Sequence, residues 1–329
     1  MEEKRIHAIH LLNDFSGSPL VFQICLNDYI RQGYEVHLYT ASPSGQGFLS
    51  RVNAAKNISI FYKWSKNKWL TLFFYLWAQM SLFLCICANA KKSDTVYINT
   101  LLPFGAMWAA KLKRCKVIVH VHEVSLKPAL LKRFLVFSAE HCATEIIFVS
   151  AFLQSQYNFS KPNSRVELNQ LSQEFLDRIP AEKAKYATDE KTVLMLCSLK
   201  AYKGINEFIR IAELTPGVKF ELVLNASPAD VSVWISEQSI PKNCTCFSAQ
   251  SDTHFFYARA RIVMNLSRPN EWLETFGMTI LEGIAYGALI VVPTKGAPKE
   301  LLLNDDMGIA IDGSFVEAIS NWIEVKMLM

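Results

Sequence analysis

Charge is scarce in this chain: 19% of its 329 residues are Asp, Glu, Lys or Arg, 51% are hydrophobic, and the net charge is only +4. No basic run reaches the density of a phosphate-tracking surface, which argues against nucleic acid as a partner. The Met-Glu-Glu-Lys-Arg start lacks the apolar core and cleavage site of a secretory signal, so a cytoplasmic protein is expected. Cys85/Cys87 and Cys244/Cys246 have no second Cys/His pair at zinc-site spacing. The eight cysteines are therefore expected to be buried free thiols of a reduced compartment. No Gly-x-Gly-x-x-Gly follows the first apolar run, residues 6–12, which sets aside a nicotinamide-dependent dehydrogenase.

What the chain has instead is alternation. Short apolar or β-branched runs at 6–12, 35–40, 58–62, 95–98, 116–120 and 145–149 are separated by stretches with helical spacing at 19–32, 69–89, 103–112 and 130–141. A second series has strands at 192–197, 219–224, 245–247, 262–266, 289–292 and 308–311, with helices at 205–214, 229–238, 277–286 and 315–324. Between the two series, residues 180–191 are polar and poor in large apolar side chains, which reads as a surface connection. The fold class is α/β: two Rossmann-like domains facing each other across a cleft, at 1–175 and 192–329, joined by a linker at 176–191.

Residues 69–88 carry no charge and are flanked by Lys68 and Lys91, so by length they could cross a bilayer. The strands on either side belong to one expected sheet, and a crossing would put them on opposite sides of the membrane. A buried or interface-lying helix is expected. Weak positive charge with many aromatics suits peripheral contact with the anionic inner face of a membrane.

The densest chemical signal is Glu274-Thr-Phe-Gly-Met-Thr-Ile-Leu-Glu282-Gly-Ile-Ala-Tyr-Gly287. It places free backbone N–H groups at Phe276, Gly277 and Met278 on a helix start, where dipole and unpaired donors attract a phosphate. Two carboxylates would flank that phosphate and accept hydrogen bonds from sugar hydroxyls. By residue type alone the plainer assignment comes first, a capping Glu274 and a solvated Glu282.

The Glu-x7-Glu element followed by Gly-x-Ala-x-Gly-x-x-x-Val-Val resembles the donor-site signature of the retaining GT-B glycosyltransferases, the family-four-like group that includes sucrose and glycogen synthases and bacterial polysaccharide and lipopolysaccharide glycosyltransferases. The string Ser267-Arg-Pro-Asn-Glu-Trp272-Leu-Glu is similar to members that assemble bacterial surface polysaccharides. The resemblance implies that Glu274 touches the donor sugar, that Glu282 holds the ribose hydroxyls, and that the backbone at Thr275, Phe276 and Gly277 meets the diphosphate. Cys197-Ser198-Leu-Lys-Ala-Tyr-Lys203-Gly204 resembles the family's Gly-Arg-Leu-x-x-x-Lys-Gly turn. Lys203 would neutralise the leaving diphosphate. Ser198 stands where an Arg is usual, with Lys200 or Arg268 as the cations that could compensate.

In the first domain, Gly17 follows the first strand where the family has a glycine-rich loop, and His122 resembles a histidine placed near the transferred sugar. His120 is expected to face the core. Thr294-Lys-Gly296-Ala297-Pro298 resembles a turn beside the nucleotide, with a role of backbone shape. Val149-Ser150 and Asn169 read as structural. Family members usually continue with further helices, so the donor domain is expected to be short at its C-terminus.

The implied activity is transfer of a sugar, with retention, from a nucleotide diphosphate donor to a glycan or lipid-linked acceptor. No cofactor and no metal is expected, since no Asp-x-Asp sits in a strand-end loop. The competing expectation is a catalytically inactive GT-B protein that binds sugar nucleotide or a partner enzyme.

Overall fold

The computed structural model describes residues 5–41, 47–187 and 192–328, which form two compact units, 1–170 and 171–329. The first unit runs β1 (Arg5–Leu12), α1 (Gly17–Arg31), β2 (Glu35–Ala41), β3 (Lys56–Ser59), α2 (Lys68–Asn89), β4 (Thr95–Asn99), α3 (Phe104–Leu112), β5 (Lys116–Val121), α4 (Ala129–Cys142), β6 (Glu145–Phe148), α5 (Ala151–Ser155) and β7 (Asn163–Val166). The second runs α6 (Gln173–Lys185), β8 (Thr192–Ser198), α7 (Ile205–Leu214), β9 (Lys219–Asn225), α8 (Pro228–Ser236), β10 (Cys244–Phe247), α9 (His254–Arg259), β11 (Ala260–Met264), α10 (Met278–Ala285), β12 (Leu289–Val292), β13 (Gly308–Ala310) and α11 (Val316–Leu328).

Both sheets are parallel, ordered β3-β2-β1-β4-β5-β6-β7 and β10-β9-β8-β11-β12-β13. Helices cover such sheets on both faces, which is why the central strands are largely apolar. Phe22 and Leu26 of α1 pack on Ile6, Ala8, Val36 and Leu38 in the first unit. In the second, Ile205, Phe208, Ile211 and Ala212 of α7 form the stripe that α11 covers with Ile319 and Ile323. Each large side chain so buried contributes roughly 1.5–3 kcal/mol.

Four expectations needed correction. The apolar run at 58–62 pairs earlier, at Lys56–Ser59, because this edge strand can pair only as far as β2 extends. The polar edge strand β7 and the short α9 had no apolar period to reveal them. Much of the expected surface connection is helical: α6 extends to Lys185 despite Pro180 and buries no residue fully. It is anchored instead through Phe175, whose ring lies 4.3 Å from that of His254. The last part of that connection, 188–191, lies outside the described residues. The cysteines are all free, though only Cys115, Cys142 and Cys244 are buried.

Candidate functional site

Each sheet reverses its strand order once, at β1/β4 in the first unit and at β8/β11 in the second. In open parallel sheets ligands are received beyond the carboxyl ends of the strands at such a point.

In the second unit, β8 ends at Ser198 and leads into a single 3-10 turn, Ala201–Lys203, followed by Gly204 at φ 81°. A Cβ on Gly204 would sit 2.2 Å from the Leu266 carbonyl oxygen, so only glycine lets this turn lie against the end of β11. The Arg268 N–H donates to the Tyr202 carbonyl (2.8 Å) and joins the two strand ends. Lys203 and Glu274 thereby meet: Lys203 Nζ donates to Glu274 Oε1 in an ion pair, and Ser267 Oγ donates to the same oxygen at 2.9 Å. Both charged side chains are mostly shielded, 15% and 17% exposed. Glu274 Oε2 has no protein partner among the described residues.

The loop that carries Glu274 is held by its own backbone. The Ala297 N–H donates to the Glu274 carbonyl at 2.9 Å, and Gly296, at φ 106°, brings its backbone close to that oxygen. Phe276 anchors the loop in the core, and Gly277 opens α10 with no side-chain cap. The first turn of a helix leaves its N–H groups without intrahelical acceptors, so this one presents donors and the positive end of a dipole. Glu282, a turn further along, accepts a hydrogen bond from the Tyr257 hydroxyl, and burial pushes its carboxyl up to about 7. Gly283 fits α10 against Val263 of β11, where a Cβ would come within 2.8 Å.

Of the two cations that could compensate for Ser198, Arg268 has its guanidinium paired with Glu207 (2.6 Å) and Glu271 (3.0 Å), and Lys200 is exposed. The Lys203 ammonium lies 5.2 Å from the ring centre of Trp272, which stacks on Tyr202 at 5.1 Å. A ring face attracts a cation, so Lys203 is positioned by both a carboxylate and an aromatic pair.

The first unit's switch point is built largely from histidines and an amide. His122, just beyond β5, shares a hydrogen bond of 2.8 Å with Asn99 Oδ1 through Nε2. Asn99 Nδ2 donates to the Ser18 carbonyl (3.1 Å) and faces His10 Nδ1 at 3.1 Å. The amide is thus oriented with its oxygen toward His122, which must hold its proton on Nε2. Burial holds His122 well below the ordinary histidine value, helped by the nearby His120 and His10. It lowers His10 to about 4 and His120 to about 3. His120 is buried against Tyr97, as expected. The adjacent Glu123 is pushed up to about 7 by burial while accepting the Leu101 and His122 N–H groups. Gly17 starts α1, and a Cβ there would meet open space, so neither packing nor backbone conformation demands glycine.

Ser267, Tyr257 and Asn99 were not singled out by sequence. Ser267 lay inside a quoted string, while the other two meet partners more than twenty residues away with no spacing to signal it. Ser150 caps α5 through Leu153 N–H, consistent with a structural role. Among the described residues, no three His, Cys, Asp or Glu side chains converge as metal ligands.

No curated protein matches the sequence. Solved structures do resemble it. A complex of Anabaena HepE with UDP and glucose superposes with a TM-score of 0.75 at 16% identity, covering 98% of this chain and 89% of that one. A glycosyltransferase from Rickettsia africae gives 0.72 at 18%, covering 99% and 88%. WaaG, a glycosyltransferase involved in lipopolysaccharide biosynthesis, gives 0.72 at 14%, covering 98% and 90%. The fold is thus that of the GT-B glycosyltransferases, two Rossmann-like α/β domains, and residues 178–326 match the family model described as Glycosyl transferases group 1.

Proposed function

We propose that this protein transfers a sugar from a nucleotide diphosphate donor to a glycan or lipid-linked acceptor, with retention at the anomeric carbon, in the assembly of a bacterial surface polysaccharide. It would work in the cytoplasm or at the inner face of the membrane. The observation that carries this reading is the Lys203–Glu274 pair set beside the uncapped start of α10. That places a cation, a carboxylate and free amide donors at one switch point of a domain matched to a glycosyltransferase family.

On this reading the diphosphate rests on the N–H groups around Gly277 and takes the charge of Lys203 as the glycosidic bond breaks. The sugar hydroxyls meet Glu274, whose Oε2 is available, and the ribose hydroxyls meet Glu282. The acceptor attacks from the face the phosphate leaves, and the departing phosphate oxygen takes its proton. No side-chain base is required, and positioning and electrostatics supply the rate.

One observation favours a second reading, a binder without turnover: Ser198 replaces a cation, and Arg268 is engaged elsewhere. The test is release of nucleoside diphosphate from a panel of uridine and guanosine diphosphate sugars with candidate acceptors. Donors are first chosen by the rise they cause in unfolding temperature. The anomeric configuration of the product is then read by NMR. Donor-dependent stabilisation with no nucleotide release would support the binder, and an inverted product would rule out retention.

A further inference from the structure

Helix α2 is attached to the first unit along one stripe only. Tyr75, Ala78, Gln79, Leu82 and Ile86 are buried, the Tyr75 hydroxyl donates to the Leu102 carbonyl (2.6 Å), and Gln79 accepts the Gly105 N–H (2.9 Å). Gly105 lets α3 lie close against α2, since a Cβ there would come within 2.1 Å of the Gln79 carbonyl oxygen. The opposite stripe is apolar and exposed: Trp69, Phe73, Leu76, Trp77, Met80 and Leu84, with Trp69 80% and Trp77 55% exposed. These positions recur at three- and four-residue steps along the whole helix, so they form one continuous face. An apolar face this long on a surface helix marks an interaction site.

We infer that this face lies in the surface of an anionic lipid bilayer, with α2 parallel to the membrane plane. Three observations select that occupant. First, the strands flanking α2, β3 and β4, belong to one parallel sheet, and the buried stripe ties the helix to α3, so α2 cannot cross a bilayer without dismantling the unit. Second, the stretch of chain that carries the face has charge of nearly one sign. From Val36 to His122 there are eleven lysines and arginines against a single acid, the buried Asp94. Exposed Lys63, Lys66 and Lys68 stand at the N-terminal end of α2, and Lys91 and Lys92 at its C-terminal end, where they would face lipid phosphates. Third, the exposed aromatics Trp64, Trp69 and Trp77 are the residue type that settles at the headgroup level. Tryptophan at the interface, leucine and phenylalanine toward the acyl chains and lysine at the rim together make an in-plane membrane helix.

Lipid binding by this face does not depend on what the second unit transfers, so it is measured without donor or acceptor. The full chain is sedimented with vesicles of phosphatidylcholine alone and with 30 mol% phosphatidylglycerol (roughly the anionic fraction that gives a substantial surface potential). The expected result is at least tenfold stronger binding to the anionic vesicles, weakened by salt, with a blue shift of tryptophan emission. Phe73→Glu/Trp77→Glu, at exposed positions that leave the fold intact by circular dichroism, should abolish binding to both. Lys63→Glu/Lys66→Glu/Lys68→Glu should remove the preference for anionic lipid. Wild-type protein that stays in the supernatant, or binding untouched by the Phe73/Trp77 variant, overturns the inference. So does a lipid-free dimer that the same variant dissociates, which would assign the face to a second copy of this chain.

Discussion

The switch point of the first sheet is furnished with His10, His120 and His122, which burial keeps neutral and which Asn99 partly links. The second sheet places Lys203 and Glu274 at the same topological position, as an ion pair beside an uncapped helix start. One sequence thus builds the same architecture twice and equips it with different electrostatics. Neutral hydrogen-bonding groups suit the hydroxyls of a sugar, whereas a cation and free amide donors suit a diphosphate. The two units should therefore respond differently to mutation and to acid.

The largest effect should come from the charged site. Glu274→Ala is expected to lower transfer by orders of magnitude with the fold retained, read as kcat at saturating donor; activity within twofold of wild type would remove Glu274 from the site. Lys203→Ala should cost about 3 kcal/mol of transition-state stabilisation, a loss of roughly a hundredfold in kcat/KM. If turnover is unchanged, another cation carries the diphosphate.

The neutral site should respond more gently. Asn99→Ala removes the acceptor that fixes the His122 proton on Nε2 and the donors to Ser18 and His10, with an expected loss of about 1–3 kcal/mol in stability. The comparison sharpens if kcat also falls while donor affinity holds, since that separates the first unit's role from the second's.

Acid should separate the units further. A histidine held below its ordinary value stays neutral in the folded unit while the unfolded chain takes up a proton. The first unit therefore loses stability as pH falls below about 6.5, and His10 alone, held at about 4, contributes on the order of 3 kcal/mol by pH 4. Glu123, raised to about 7, opposes this only in part. In the second unit Glu282, also raised to about 7, has the reverse sign: the folded state keeps a proton that the unfolded chain releases, so its contribution declines as pH rises from about 4.5 to 7. Hydrogen exchange at pH 7 and pH 4.5 should show amides of β1, β4 and β5 losing more protection than those of β8 and β11. Equal losses would break the contrast.

The smallest effect concerns Glu282 itself. On the proposed reading its carboxylate accepts ribose hydroxyls, best when ionised, so donor affinity should rise severalfold between pH 6 and 8. Glu282→Gln should flatten that rise, and a pH profile identical to wild type would take Glu282 out of the ribose contact.

Much of this molecule was legible in residue order. The alternation of apolar runs and helical spacing gave both parallel sheets, because strands covered on both faces must be largely apolar and their crossovers must be amphipathic. Gly204 and Gly277 were legible through the motifs that contain them, and the positive φ values at these positions show why glycine is needed there. Segments that owe their structure to few or distant contacts were less legible: β7, with its polar residues, and α6, held by Phe175, Arg178 and Lys183 on partners more than seventy residues away.

The sequence by itself determined the fold class, through the period of its apolar runs, and it named the acid and the lysine of the charged site through motifs that resemble those of a known family. Only the tertiary structure decided that Ser267 shares an oxygen of Glu274, that Tyr257 covers Glu282, that Asn99 orients His122, and which stripe of α2 is left bare. Each of these rests on side chains brought together by packing, and such contacts leave no periodic trace along the chain.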